Sequence, residues 1–262
     1  MERPGRIAIE VDGPVATVRI DNASHRNAVD SAMWRALAAA AADIAARSEI
    51  RSVVLRGAGD LAFCAGADVV EFDTQRTGAE AAAYDDLVEG TCRSIEALPQ
   101  PTLAVLRGAC VGAGNSLAAS CDLRVASDDA YFAHPAARLG LGYDQRGLAR
   151  LAGVYGMRAT RAMILFAARL PALRAQALGA IDEVVPAAAL DARVRDLAAE
   201  SSRNAPLTLR AAKAALRALA PPLDARQLEA LLTLSHAADA SADYREGLLA
   251  FREKRAPRFE GR

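Results

Sequence analysis

Leu103-Ala104-Val105-Leu106-Arg107-Gly108-Ala109-Cys110-Val111-Gly112-Ala113-Gly114-Asn115-Ser116 is the stretch that decides how the chain folds. Its apolar opening, Leu103 to Leu106, reads as a strand buried on both faces. The segment behind it is built from glycine and alanine, whose absent or minimal side chains let backbone approach backbone closely. The same arrangement stands upstream, where the buried run Val53-Val54-Leu55 precedes Gly57-Ala58-Gly59-Asp60-Leu61-Ala62-Phe63-Cys64-Ala65-Gly66-Ala67-Asp68. Strands that alternate with helical stretches need crossover connections, so both strands belong to a largely parallel sheet with helices on its faces. Both glycine turns then lie at carboxyl ends of parallel strands, where open α/β sheets bind ligands. Two peptide N–H groups facing one point would stabilise an oxyanion, and losing one such donor costs about 2.7–4 kcal/mol of transition-state stabilisation. Either turn alone is also compatible with a plain strand-to-helix connection that needs glycine for positive φ.

Working outward, Ile7, Ile9 and Val11 and then Val15, Thr17 and Arg19 flank Asp12-Gly13-Pro14, the pattern of an opening β-hairpin. Asp30 is placed to cap a helix in which Met33, Trp34, Leu37, Ala41 and Ile44 recur at helical spacing. A second helix is expected over Thr77–Leu98, stopped by Pro99 and Pro101, and a third buried strand over Leu123–Ala126. Beyond Asp144 the pattern is almost wholly helical apart from a short strand at Ile181–Val185. The expected division is a sheet-bearing core over residues 1–200 and a helical part over 201–262.

Composition narrows the function classes. The 262 residues are long enough for one sizeable core. Lysine plus arginine and aspartate plus glutamate are 32 each, so no net field draws the chain to nucleic acid or an anionic membrane. Charged residues through Met1–Asp21 leave no apolar signal segment, and no later stretch reaches the ~20 apolar residues of a membrane span. Cys64, Cys92, Cys110 and Cys121 form no CxxC pair and sit in apolar surroundings, which suggests buried thiols and a reducing, cytoplasmic location. No His/Cys/Asp/Glu cluster has metal spacing, so no metal is expected.

Several ordered segments carry a resemblance to a known family: Phe63-Cys64-Ala65-Gly66-Ala67-Asp68, Arg107-Gly108 through Gly112-Ala113-Gly114, Cys121-Asp122-Leu123-Arg124-Val125-Ala126-Ser127, Gly179-Ala180-Ile181-Asp182-Glu183-Val184-Val185, and Phe251-Arg252-Glu253-Lys254-Arg255-Ala256-Pro257. In order and spacing they resemble the enoyl-CoA hydratase/isomerase (crotonase) superfamily, from Ser24-His25-Arg26-Asn27-Ala28 to Pro257. The resemblance implies an α/β fold with a ββα spiral core and a helical C-terminal trimerisation part. It implies a homotrimer or dimer of trimers, and a coenzyme A thioester as substrate with no further cofactor. By position the oxyanion donors are the amides of Ala67 and Ala113. Arg26, Ala28, Ala65, Asp68 and Gly112 fall at coenzyme A contacts, and Lys254 at a tail residue that reaches a neighbouring subunit's nucleotide. Basic side chains suit phosphates, although Arg26 and Lys254 would equally serve as solvated surface charges.

The departures matter as much. Hydratases that this chain resembles use two glutamates, because syn addition of water needs paired acid/base groups. Those positions hold Ser116 and Ala136 here. Asp144, in Gly140-Leu141-Gly142-Tyr143-Asp144-Gln145-Arg146-Gly147, stands where related isomerases and dehalogenases carry a catalytic aspartate. Beside an apolar pocket, desolvation is expected to raise its pKa and its strength as a base. Asp144 is equally placed to cap the helix that begins near Gln145. Ser116 could orient a water or substrate oxygen, or simply fill the turn. Tyr143 and His134 are either pocket groups or packed structural ones. The resulting expectation is a proton shuttle on Asp144 next to a thioester carbonyl, as in double-bond isomerisation. Other crotonase activities, such as hydratase/lyase action, thioester hydrolysis or dehalogenation, stand beside it, as does a binder without chemistry. Gly114-Asn115-Ser116-Leu117-Ala118 also approximates a serine-hydrolase elbow, with Asp182 and His236 in order behind it.

Overall fold

A computed structural model describes residues 4–72, 80–135 and 143–219, and in the tail 242, 243, 246, 250, 253, 255 and 257–262. The chain opens with the hairpin β1 (Arg6–Asp12) and β2 (Val15–Asp21), paired antiparallel with Asp12 opposite Val15 across the Gly13 turn. Helix α1 (Ser31–Ala46) starts at Asp30, whose carboxylate accepts the Met33 N–H at 2.7 Å. There follow β3 (Ser52–Gly57), β4 (Ala62–Cys64) and α2 (Glu80–Glu96); β5 (Thr102–Leu106), β6 (Ala109–Val111) and α3 (Ala113–Ala119); β7 (Leu123–Ser127), β8 (Tyr131–Ala133) and α4 (Gln145–Leu165). This strand, strand, helix recurrence is the ββα spiral. The chain continues through β9 (Leu170–Pro171), α5 (Ala172–Ala177), β10 (Glu183–Val185), α6 (Leu190–Ser202) and α7 (Pro206–Ala218).

The first strand of each unit joins a six-stranded sheet of order β1-β2-β3-β5-β7-β10, parallel from β2 onward. The second strand joins a four-stranded sheet of order β4-β6-β8-β9. Alternation along the central strands explains their unbroken apolar runs. Val53 and Leu55 of β3, with Ala104 and Leu106 of β5, face a core that contains Trp34, Phe63, Phe132 and Tyr155. Val54, Leu103 and Val105 face the other way, onto Leu190, Val194 and Ala198 of α6. A strand covered on both faces has no polar side to show, so period-2 alternation is absent from its sequence.

The sequence reading needs correction in the small sheet. The segments behind Leu55 and Leu106 are not simple strand-to-helix turns, because each contains a further strand, β4 or β6, before its helix. Runs of three residues in which nearly every side chain is buried display no period by which to recognise them. Part of the helix expected over Thr77–Leu98 lies outside the described residues, and the rest is α2. All four cysteines are buried and unpaired, as their surroundings suggested.

Candidate active site

The spiral places the two glycine loops side by side. Behind β4, the Arg26 carbonyl accepts the Ala65 N–H, the Gly66 carbonyl accepts the Val29 N–H, and Val29 accepts the Asp68 N–H, each at 2.9 Å. That ladder leaves the intervening Ala67 N–H without an acceptor among the described residues. Behind β6, Gly112 donates to the Ala133 carbonyl at 2.9 Å, and Ala113 opens α3. A first helical N–H has no acceptor within its own helix, so the Ala113 amide is also unclaimed. Gly66, at φ 111°, and Gly112, at φ 56°, turn these peptides. A methyl group added to Gly66 would lie 3.1 Å from the Val111 carbonyl oxygen and 3.6 Å from the Ala113 nitrogen. The loops therefore approach closely, and a Cβ at Gly66 would fit only if the Val111 carbonyl gave way by a few tenths of an ångström. Gly114 is more tightly confined, since a Cβ there would come within 2.5 Å of the Cys64 carbonyl oxygen.

Beside these loops lies a cavity of about 170 Å³ that Ala67, Ala113, Ser116 and Asp144 all line. Its walls are completed by α2, through Tyr84, Val88 and Glu89, and by α4, through Leu148, Arg150 and Leu151. Ser116 is buried, and its hydroxyl has no partner among the described residues. Tyr143 donates its hydroxyl to the His134 carbonyl at 3.0 Å, and the two rings lie 5.4 Å apart. Both residues line the cavity while packing on each other.

Asp144 differs from its expectation in the direction of its pKa. It caps α4, accepting the Arg146 N–H at 2.8 Å, and it also faces the cavity. The two roles are not exclusive, because the cap uses one oxygen. The Arg146 guanidinium grips both, with Nε at 3.0 and 2.9 Å and Nη2 at 2.5 Å from Oδ2. Hydrogen bonding to Arg146 outweighs burial and holds the Asp144 carboxyl below its ordinary range, where the pocket had been expected to raise it.

Sequence reasoning missed a second charged group in the wall. The side chains of Glu89 and Arg150 are buried and meet through two 2.9 Å hydrogen bonds, with Arg93 on Glu89 at 2.9 Å and Glu96 on Arg150. Burial pushes Glu89 up, but Arg150 and Arg93 more than offset it and leave the carboxyl below its usual range. The signal available was spacing: Glu89 and Arg93 are one turn apart, as are Arg146 and Arg150, but nothing local links the two pairs. Asn27 was missed too. Fully buried at φ 58°, it accepts the Asn22 N–H and donates to the carbonyls of Ala58 and Ala62, fastening the Arg26–Ala28 segment to the first loop.

The remaining expected contacts are dispersed. Arg26 is exposed and, with Ala65, Tyr131 and Arg169, lines a neighbouring cavity of about 210 Å³. Ala28 lines neither cavity, and Asp68 spends its carboxylate on the Val70 N–H at 3.0 Å. Gly112 shapes the second loop. Lys254, Ala136 and His236 lie outside the described residues. Asp182 accepts the Arg124 N–H at 2.8 Å and pairs with its guanidinium, a structural engagement. Among the described residues no three His, Cys, Asp or Glu side chains are grouped to hold a metal, and no helix is long and apolar enough to cross a membrane.

Comparison with known proteins identifies the family. The family model described as enoyl-CoA hydratase/isomerase matches residues 10–262. A probable enoyl-CoA hydratase of Rhodobacter capsulatus is 35% identical over 257 residues, covering 98% of each chain. The methylmalonyl-CoA decarboxylase of Escherichia coli is 30% identical over 250 residues, covering 94% of this chain and 95% of its own. A crystal structure described as an enoyl-CoA hydratase/carnithine racemase from Magnetospirillum magneticum superposes with a TM-score of 0.93 at 35% identity, covering 98% and 96% of the two chains. With its spiral, its paired glycine loops and a match over nearly its whole length, the chain belongs to the enoyl-CoA hydratase/isomerase family.

Proposed function

We propose that the chain is an isomerase-type acyl-CoA enzyme that holds a thioester enolate on the amides of Ala67 and Ala113 while Asp144 shuttles a proton. The observation that carries this reading is the pair of unclaimed N–H groups on touching loops, in a cavity that Asp144 also lines. The chemistry closes on those groups. Asp144 takes a proton from the α carbon of a β,γ-unsaturated acyl-CoA, and the C–H electron pair passes into the thioester carbonyl, giving a dienolate. The two amides stabilise its oxygen. Asp144 then returns the proton at the γ carbon and regains its charge, so no water or second base is consumed. Ser116, in place of a hydratase glutamate, orients the thioester end. Coenzyme A itself is part of the substrate, with Arg26, Ala28, Ala65, Asp68 and Gly112 along its path and Lys254 supplied from a neighbouring copy. A homotrimer or dimer of trimers, assembled through the helical segment 201–262, follows from that last role.

The test is Asp144→Asn assayed with 3-hexenoyl-CoA. Turnover should vanish while affinity for coenzyme A stays near that of the unmodified chain; undiminished turnover would refute the assignment. The ionised state in which Arg146 holds Asp144 favours a second reading, in which the carboxylate attacks the thioester carbonyl, an acyl anhydride forms as the C–S bond breaks, and water then hydrolyses the anhydride, freeing the carboxylate and supplying the proton that the departing thiolate takes up. Free thiol as the product would select that reading, and a shifted double bond the first.

A further inference from the structure

Asp144 and Arg146 lie two residues apart at the start of α4, and their contact exceeds what a helix cap requires. One carboxylate oxygen and the Arg146 backbone N–H complete the cap. The guanidinium adds bonds from Nε to both oxygens and from Nη2 to Oδ2, and its remaining arm reaches Asp86 of α2 at 2.7 Å. The Asp144 side chain retains 21% exposure and that of Arg146 38%, so solvent screens the pair and its contribution to fold stability is small. Its main consequence falls on the carboxylate itself, which a planar fork of donors holds in one orientation.

We propose that Arg146 is a positioning residue that fixes the Asp144 carboxylate at the cavity wall and keeps it ionised when the thioester displaces water. The proposal deepens the proton-shuttle reading and rests on it for its kinetic consequence. Other groups around the carboxylate do not supply the same effect. On α2, Asp86 and Asp85 are acidic and offer no donor, and Glu89 is paired with Arg150 and Arg93. On α4, Arg150 is engaged by Glu89 and Glu96. His134 and Tyr143, from the strand-end side, pack on each other, and Ser116 of α3 carries no charge. Without the guanidinium, burial beside an apolar cavity and the neighbouring aspartates would both favour protonation.

The experiment uses the full chain labelled at aspartate Cγ with ¹³C. Asp144→Asn identifies the Asp144 resonance, which is titrated in the unmodified chain and in Arg146→Gln, Arg146→Lys and Asp86→Asn. In Arg146→Gln the midpoint should move up to or beyond the ordinary aspartate value; Arg146→Lys, which keeps the charge but not the fork, should fall between. Asp86→Asn should move it no higher than in the unmodified chain, because losing an anion leaves Arg146 wholly to Asp144. An unmoved midpoint in Arg146→Gln, or an equal upward move in Asp86→Asn, would overturn the proposal. Rate profiles with 3-hexenoyl-CoA separate the two layers. If the acid limb of kcat follows the resonance, both stand. If the resonance moves and the limb does not, Asp144 is not the base, while the role of Arg146 in its ionisation stands.

Discussion

Gly66→Ala tests the oxyanion site through its backbone. Gly66 sits at φ 111°, a conformation that alanine rarely adopts, and the added methyl would meet the Val111 carbonyl oxygen at 3.1 Å. The Gly66–Ala67 peptide plane carries both the Gly66 carbonyl, which accepts the Val29 N–H at 2.9 Å, and the Ala67 N–H offered to the thioester. Alanine therefore either holds the strained conformation, at about 1–3 kcal/mol, or rotates that plane and turns the donor away. Losing one donor of an oxyanion pair costs about 2.7–4 kcal/mol, which is a fall in kcat of about 10²–10³. Steady-state kinetics with an enoyl-CoA, paired with a thermal melt, is the assay. The expected outcome is a kcat loss of that size with a far smaller change in KM and a melt that is lowered but still cooperative. A kcat within a few-fold of the unmodified chain, in a protein that has lost 1 kcal/mol or more of stability, would refute the reasoning, because the strain would have been absorbed without disturbing the donor.

Other perturbations report on the surroundings. Glu89→Gln leaves Arg150 buried with only Glu96, and should cost about 3 kcal/mol, the lower end for breaking a buried pair, in chemical denaturation. Because Glu89 is held below its ordinary range when folded, that stabilisation is full above the ordinary glutamate value and disappears as pH falls through the folded one. The gap between the two proteins should accordingly be widest near neutrality and close in acid. Gly114→Ala should lower stability and kcat together, since its methyl would force β4 away from α3; an unaltered melt would contradict the 2.5 Å approach to Cys64. Burial pushes the thiols of Cys64 and Cys121 up to about 12 and that of Cys92 to about 11, so Ellman's reagent should find almost no thiol in the native chain and all four after denaturation.

How far the sequence alone reaches depends on segment length. The Asp12-Gly13 hairpin and the helix behind Asp30 are legible because each spans enough residues to show a period and is bounded by a turn or cap residue. β4, β6 and β8 are too short and too buried to show one, so the second sheet was hidden although its glycine loops were conspicuous. The site divides in the same way. Glycine and alanine mark the two loops where backbones approach, and the family resemblance singled out Ala67, Ala113, Ser116 and Asp144, which do share one cavity. The Glu89–Arg150 pair leaves none, since its partners stand 61 positions apart and each reads locally as a solvated helix charge. Arg146 was in plain view beside Asp144. Its effect depends on where a long side chain turns, and the apolar pocket expected beside Asp144 points only to desolvation.

The most direct measurement of whether two backbone amides converge on one carbonyl oxygen is a crystal structure of the chain with an unsaturated acyl-CoA bound. The expected result is a thioester oxygen about 2.7–3.1 Å from the nitrogens of both Ala67 and Ala113. An acyl-CoA seated with that oxygen out of hydrogen-bonding reach of either nitrogen would contradict it.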